Sequence, residues 1–208
     1  MGIGDKRIRD FAEETAAPTP TPGGGSVAAV CGAVSAALAR MVAGLAIGKD
    51  DYRDSQDELL RIQEAGRSLQ DRLLALADED SAAYDTVASA LKLPKATPED
   101  KKRRSEALQL ALKKAAEVPL STMELCNEVI ELSKRALEKG SKSAFTDAGS
   151  AALIAHAALE AAALNVKVNL LSIKDEAFCA KTRANMDSML KTGSDIAEQV
   201  SRIVDSRF

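Results

Sequence analysis

Aromatic side chains are scarce in this 208-residue chain: they make up 3%, with two Tyr, four Phe and no Trp. That is too little for a platform that stacks the bases of single-stranded nucleic acid. One histidine, His156, is present. A zinc site built on two or three histidines is therefore excluded within one chain, as is a di-iron bundle with two Glu-x-x-His motifs. The three cysteines, Cys31, Cys126 and Cys179, form no C-x-x-C pair, and their odd number fits no closed disulfide framework. They read as small buried or half-buried thiols of a reducing, cytoplasmic compartment. Neither sign of charge dominates, since 28 Lys and Arg against 31 Asp and Glu leave −3. Phosphate backbones call for a net basic surface, so nucleic acid is not an expected partner. The opening residues, Met1 to Glu14, lack the apolar core of a signal peptide. Ser26 to Ile47 is long enough to span a bilayer, but Ala, Gly and Ser fill most of it and Arg40 interrupts it. A buried helix is the expectation there, not a membrane span.

Hydrophobic residues reach 46%, much of that Ala. Small side chains bury little area each, so the core they build is one of closely spaced helices. No run alternates apolar and polar residues as a strand would, and helical periodicity covers most of the chain. The pattern predicts an all-α fold: a single domain over residues 1–208, a bundle of about six helices with two Ala-rich buried helices at the centre. The predicted helices cover 3–15, 27–47, 55–91, 97–137, 147–171 and 175–204. Pro119 falls inside the fourth as a kink. Thr97-Pro98-Glu99-Asp100 opens that helix with a cap, a proline and two acids. The second helix is apolar nearly all round, which implies burial. The run Lys101 to Arg104 reads as a solvated face.

Three segments could carry chemistry. Gly23-Gly24-Gly25 lies between a proline-rich stretch that forbids helix and Ser26, a natural N-cap. Such a loop at a helix start suits a carboxylate or other anionic group, or else it is a turn packed closely on a neighbouring helix. Asp147, beside Thr146, is a helix cap or a functional acid. Asn165 lies 18 residues further on, five turns along one face, and Asn169 one turn beyond; at ~1.5 Å per residue Asp147 and Asn165 are ~27 Å apart and cannot share a small pocket within one unbroken helix. His156 points away from Asp147 and can meet Glu160 one turn on. In Asp78-Glu79-Asp80, Asp80 and Tyr84 share a stripe with Val87 and Leu91. An acid there is either solvated at the stripe's edge or functional.

Taken together these segments resemble the methenyltetrahydrofolate cyclohydrolase and formiminotetrahydrofolate cyclodeaminase family. The matching pieces run in order: Pro18 to Ser26, Met41-Val42 with Leu45 to Lys49, Glu79-Asp80 with Ala83-Tyr84, Leu93-Pro94-Lys95, Val118-Pro119-Leu120, Thr146 to Gly149, and Leu164 to Asn169. Two places depart from the family's pattern: Lys49-Asp50-Asp51-Tyr52, where more basic residues are common, and Ser143, in a loop where an Asn is common. The resemblance implies an all-α homodimer acting on a folate one-carbon unit without metal or redox cofactor. It implies cyclohydrolysis of the 5,10-methenyl bridge first, with cyclodeamination or a catalytically idle folate-binding dimer as alternatives. Asp147 is the first acid–base candidate and Asp80 the second. Gly23, Gly24, Gly25, Ser26, Lys49, Glu79, Tyr84, Thr146, Asn165 and Asn169 are expected to touch substrate.

Overall fold

The computed structural model describes residues 2–208. Six α-helices account for most of them: α1 (Ile8–Ala16), α2 (Gly24–Gly44), α3 (Gln56–Leu91), α4 (Pro98–Lys139), α5 (Phe145–Leu170) and α6 (Glu176–Asp205). Short 3-10 turns occupy Ile3–Asp5, Asp50–Ser55 and Lys142–Ala144, and no strand occurs among the described residues. The fold is thus the all-α bundle that the periodicity predicts. Helices α2, α3, α4 and α5 pack on one another, and α6 covers α4 and α5.

Alanine decides the packing. Ala29, Ala36, Ala39 and Val42 of α2 and Ala151, Ala155, Leu159, Ala162 and Val166 of α5 are fully buried. Side chains of this size let the helix axes approach, and α3 and α4 fill the remaining space with Leu59, Ile62, Leu73, Leu76, Met123 and Ile130. The all-round burial expected of α2 holds for one side only. Val34 (56% exposed) and Met41 on α2, Leu45 just past its end, and Leu153, Leu164 (64%) and Val168 on α5, face outward. Both helices have the length and composition of a membrane span, with about half of each covered inside the bundle. The apolar outer face therefore needs an explanation beyond the chain's own core.

Several helix starts differ from the sequence reading. Gly23, not Ser26, takes the N-cap of α2, so Gly24 and Gly25 are helical and Ser26 sits in the first turn. Gly48 has the one positive φ among the described residues (75°), so a left-handed backbone is not what the three glycines supply. At α5 the N-cap is Ala144, and neither Thr146 nor Asp147 caps it. Thr97 does cap α4, reciprocally with Asp100, and Asp175 caps α6 through the Phe178 N–H. The fourth helix runs on as one element past Pro119. Arg104 is not merely solvated: its Nε donates to the last carbonyl of α3, Leu91 O, at 3.1 Å. His156 meets Ser194 Oγ at 3.0 Å and Glu160 at 3.9 Å, the partner expected from spacing. All three cysteines are free.

Candidate active site

The start of α2 leans on the middle of α3, and this junction makes the site. Ser26 is fully buried. Its Oγ lies 2.9 Å from the Ala77 carbonyl oxygen and 3.0 Å from Asp80 Oδ2. A hydroxyl has one proton, so the two contacts describe two states. With Asp80 ionised, Ser26 donates to the carboxylate. With Asp80 protonated, Asp80 donates to Ser26 Oγ, which donates onward to Ala77 O. Burial pushes the Asp80 carboxyl above its ordinary pKa, against the opposing pull of hydrogen bonds from the Ser26 side chain and backbone. The network can therefore hold the proton or release it with little rearrangement, as a general acid–base group must.

Gly25 makes this contact possible. A Cβ at that position would lie 2.6 Å from Asp80 Cγ and 2.7 Å from Oδ2, and closer still to Oδ1. No side chain fits there without displacing the carboxylate. Gly24 is exposed and its Cβ would make only ordinary contact, 3.4 Å from Asn165 Nδ2. Of the two readings open for the glycine run, close packing holds for Gly25, while Gly23 and Gly24 lie on the wall of a cleft.

That cleft has a volume of about 310 Å³ and lies between α2, α3, α4 and α5. Asp80 and Tyr84 line it from α3, Ala115 from α4, and Asn165, Val168 and Asn169 from α5. Asn169 Nδ2 donates to Ala115 O at 2.8 Å and Asn165 Nδ2 to Ala161 O at 3.0 Å. A larger groove of about 590 Å³ between α3 and α4, lined by Ala90, Leu93, Leu110, Ala111 and their neighbours, carries Lys114 and no acid. It offers no carboxylate to face a cationic carbon. No cluster of three His, Cys, Asp or Glu fit to hold a metal occurs among the described residues.

The expected site residues separate into two groups. Gly23, Gly24, Gly25, Asp80, Tyr84, Asn165 and Asn169 line the cleft, with Ser26 just behind them. Glu79 instead turns outward and pairs with Arg72. Lys49, Thr146 and Asp147 lie at the opposite end of the bundle, because α2 and α5 run antiparallel. Gly24 approaches Asn165 at one end, and Ser141 N donates to Val42 O at the other. Helix α5 is unbroken from Phe145 to Leu170, so Asp147 does not reach the cleft of its own subunit. The far end is organised too: Tyr52 OH accepts the Lys142 N–H at 2.9 Å, tying the segment after Lys49 to the loop before Asp147. Ala115 was not among the expected residues. Its one signal in the sequence is its place four residues before Pro119.

What fold and cleft define is a small all-α protein with a half-buried carboxylate set in a polar cleft. Residues 7–188 match the family model for formiminotransferase-cyclodeaminase. A methenyltetrahydrofolate cyclohydrolase of Methylorubrum extorquens is 38% identical, over 98% of both chains. The formimidoyltransferase-cyclodeaminase of Rattus norvegicus is 32% identical over 98% of this chain, which spans 38% of that longer protein. Among solved structures, formiminotetrahydrofolate cyclodeaminase of Thermotoga maritima superposes with a TM-score of 0.89 at 29% identity, over 98% of each chain. The chain belongs to the formiminotransferase-cyclodeaminase family.

Proposed function

We propose that the protein is a methenyltetrahydrofolate cyclohydrolase whose acid–base group is Asp80. The observation that carries the role is the half-buried Asp80 carboxylate, joined to Ser26 at the mouth of a cleft that Asn165 and Asn169 also line. The end-to-end similarity to a cyclohydrolase at 38% identity supports the choice of reaction. The substrate's methenyl carbon is cationic, and an ionised carboxylate favours it. Water adds to that carbon as Asp80 takes one of its protons. The tetrahedral carbon then collapses to the formyl group as the C–N5 bond breaks. N5 leaves with a proton, the hydroxyl proton is lost, and the balance is one water consumed and one proton released. The raised pKa of Asp80 suits a group that must carry the proton between the two steps. The scheme calls on no metal and no redox cofactor. The likeness to a solved cyclodeaminase supports the second reading, in which N10 attacks a formimino carbon on N5 and ammonia departs.

The same proposal includes a homodimer in the cytoplasm. The apolar outer faces of α2 and α5 support the dimer, since Val34, Leu153, Leu164 and Val168 are each more than half exposed there. Three free cysteines fit a reducing compartment. A two-fold axis across these antiparallel helices would lay the end bearing Lys49, Thr146 and Asp147 of one copy beside the Asp80 cleft of the other. The expected outcome of mixing inactive Asp80→Asn and Asp147→Asn proteins after co-refolding is recovery of about a quarter of wild-type activity, because half the dimers are mixed and each holds one intact site. No recovery, or a monomer by sedimentation at micromolar concentration, contradicts the shared arrangement.

A further inference from the structure

Pro119 has a chemical consequence for the cleft. In an α-helix each N–H bonds the carbonyl four residues earlier, and proline has no N–H. Within α4 the carbonyl deprived of its partner is that of Ala115, and the Pro119 ring crowds it outward. Ala115 is 8% exposed, on the cleft wall, and a carbonyl left unpaired there is costly. The donor it finds is Asn169 Nδ2 at 2.8 Å, from a helix 54 residues away in sequence.

A carbonyl only accepts, which settles the orientation of the Asn169 amide: nitrogen toward Ala115, Oδ1 away from it. Asn165, one turn earlier, is oriented in the same sense: one of its two Nδ2 protons goes to Ala161 O. Both asparagines line the cleft, and neither Oδ1 accepts a hydrogen bond from the protein among the described residues. With the Asp80 carboxylate, these two amide oxygens are the acceptors that α3 and α5 bring to the cleft, opposite the N–H groups at the start of α2.

We propose that Pro119 is a positioning residue for recognition: by freeing the Ala115 carbonyl it fixes the Asn169 amide with Oδ1 presented to the cleft, so that this wall reads an edge of N–H donors on the ligand. This deepens the folate reading and rests on it for the ligand. The amino-pyrimidinone edge of a reduced pterin offers that chemistry, its exocyclic amine lying beside the ring N3–H. A ring with carbonyl or ether oxygens along that edge would leave the acceptors unpaired and be refused.

The test is a double-mutant cycle on Pro119→Ala and Asn169→Ala, read as the Kd for tetrahydrofolate and as the split between KM and kcat. Pro119→Ala restores the helical N–H and draws the carbonyl back into its ladder. The expected result is a Kd weakened by about fivefold to tenfold, the scale of one hydrogen bond, with KM raised and kcat held. The melting temperature should not fall, because proline is the poorest residue for a helix interior. The double variant should bind no more weakly than Asn169→Ala alone. Additive losses, or wild-type binding by Pro119→Ala, overturn the role of Pro119. If Pro119→Ala fails to fold, the wild-type Asn169 side-chain amide decides by NMR: its protons should exchange slowly, and rapid exchange overturns the proposal. Failure of the wild-type protein to bind tetrahydrofolate overturns the ligand assignment and the folate reading together, an outcome distinct from a wild-type protein that binds but shows no coupling.

Discussion

Asp80→Asn is expected to lower kcat by about 10²-fold or more, the usual scale for loss of a general acid–base group, while making the protein more stable at neutral pH. The two effects share one cause. Burial raises the folded-state pKa of Asp80 above its unfolded value, so the folded chain binds this proton more tightly than the unfolded chain does. The contribution of Asp80 to stability is then fully present below the unfolded pKa of ~3.9 and is lost as pH rises through the folded pKa. At neutral pH the charge is a burden that the amide lacks, and the amide keeps the shape and can still meet Ser26 Oγ. Thermal melts of the two proteins from about pH 3 to pH 8 should diverge as pH rises, with the variant the more stable. A variant that is less stable at neutral pH would mean that the Ser26 hydrogen bonds outweigh desolvation. A variant that keeps near-full turnover would remove Asp80 from the chemistry and return Asp147 to first place.

Gly25→Ala is the second large effect. The added methyl would sit 2.6 Å from Asp80 Cγ, so the carboxylate or the start of α2 must move. The expected outcome is a loss of turnover of about the same 10²-fold order, since a carboxylate displaced by an ångström no longer meets the reacting atoms. A destabilisation of about 1–3 kcal/mol, typical of overpacking, should accompany it. Gly24→Ala is the control on the adjacent residue. Its Cβ would meet Asn165 Nδ2 at 3.4 Å, an ordinary contact, and its backbone is helical, so an alanine is accommodated. Steady-state kinetics on the pair should separate them by more than tenfold in kcat, given that gap. Equal, small effects would mean that Asp80 is free to move and that its contact with Gly25 does not matter.

The helices were legible because apolar residues recur with the helical period and because Pro, Gly and capping residues mark their ends. What local sequence did not show was competition for the capping groups. Ser26 has the chemistry of an N-cap, yet Ala77 and Asp80, more than 50 residues away, hold its hydroxyl, and Gly23 takes the cap. Apolarity around all of α2 gave no means of distinguishing the chain's own core from an outer face, since both select the same residues. That Asp80 and Tyr84 share a face, and Asn165 and Asn169 another, was legible from helical spacing; that the two faces meet at one cleft was not. The separation of Asp147 and Lys49 from them followed from helix length alone. Pro119 read as a kink. Its effect on Asn169 could not be read, because the carbonyl it frees meets a partner that only the packing of α4 on α5 supplies.

The most direct measurement is the decay of the 5,10-methenyltetrahydrofolate chromophore in the presence of the purified protein, run beside an assay for ammonia released from formiminotetrahydrofolate. Decay in proportion to enzyme is expected, with 10-formyltetrahydrofolate as product and with the rate lost in Asp80→Asn. Ammonia release without hydrolysis of the methenyl bridge would contradict the cyclohydrolase in favour of the cyclodeaminase, and inactivity in both assays would contradict the proposed function outright.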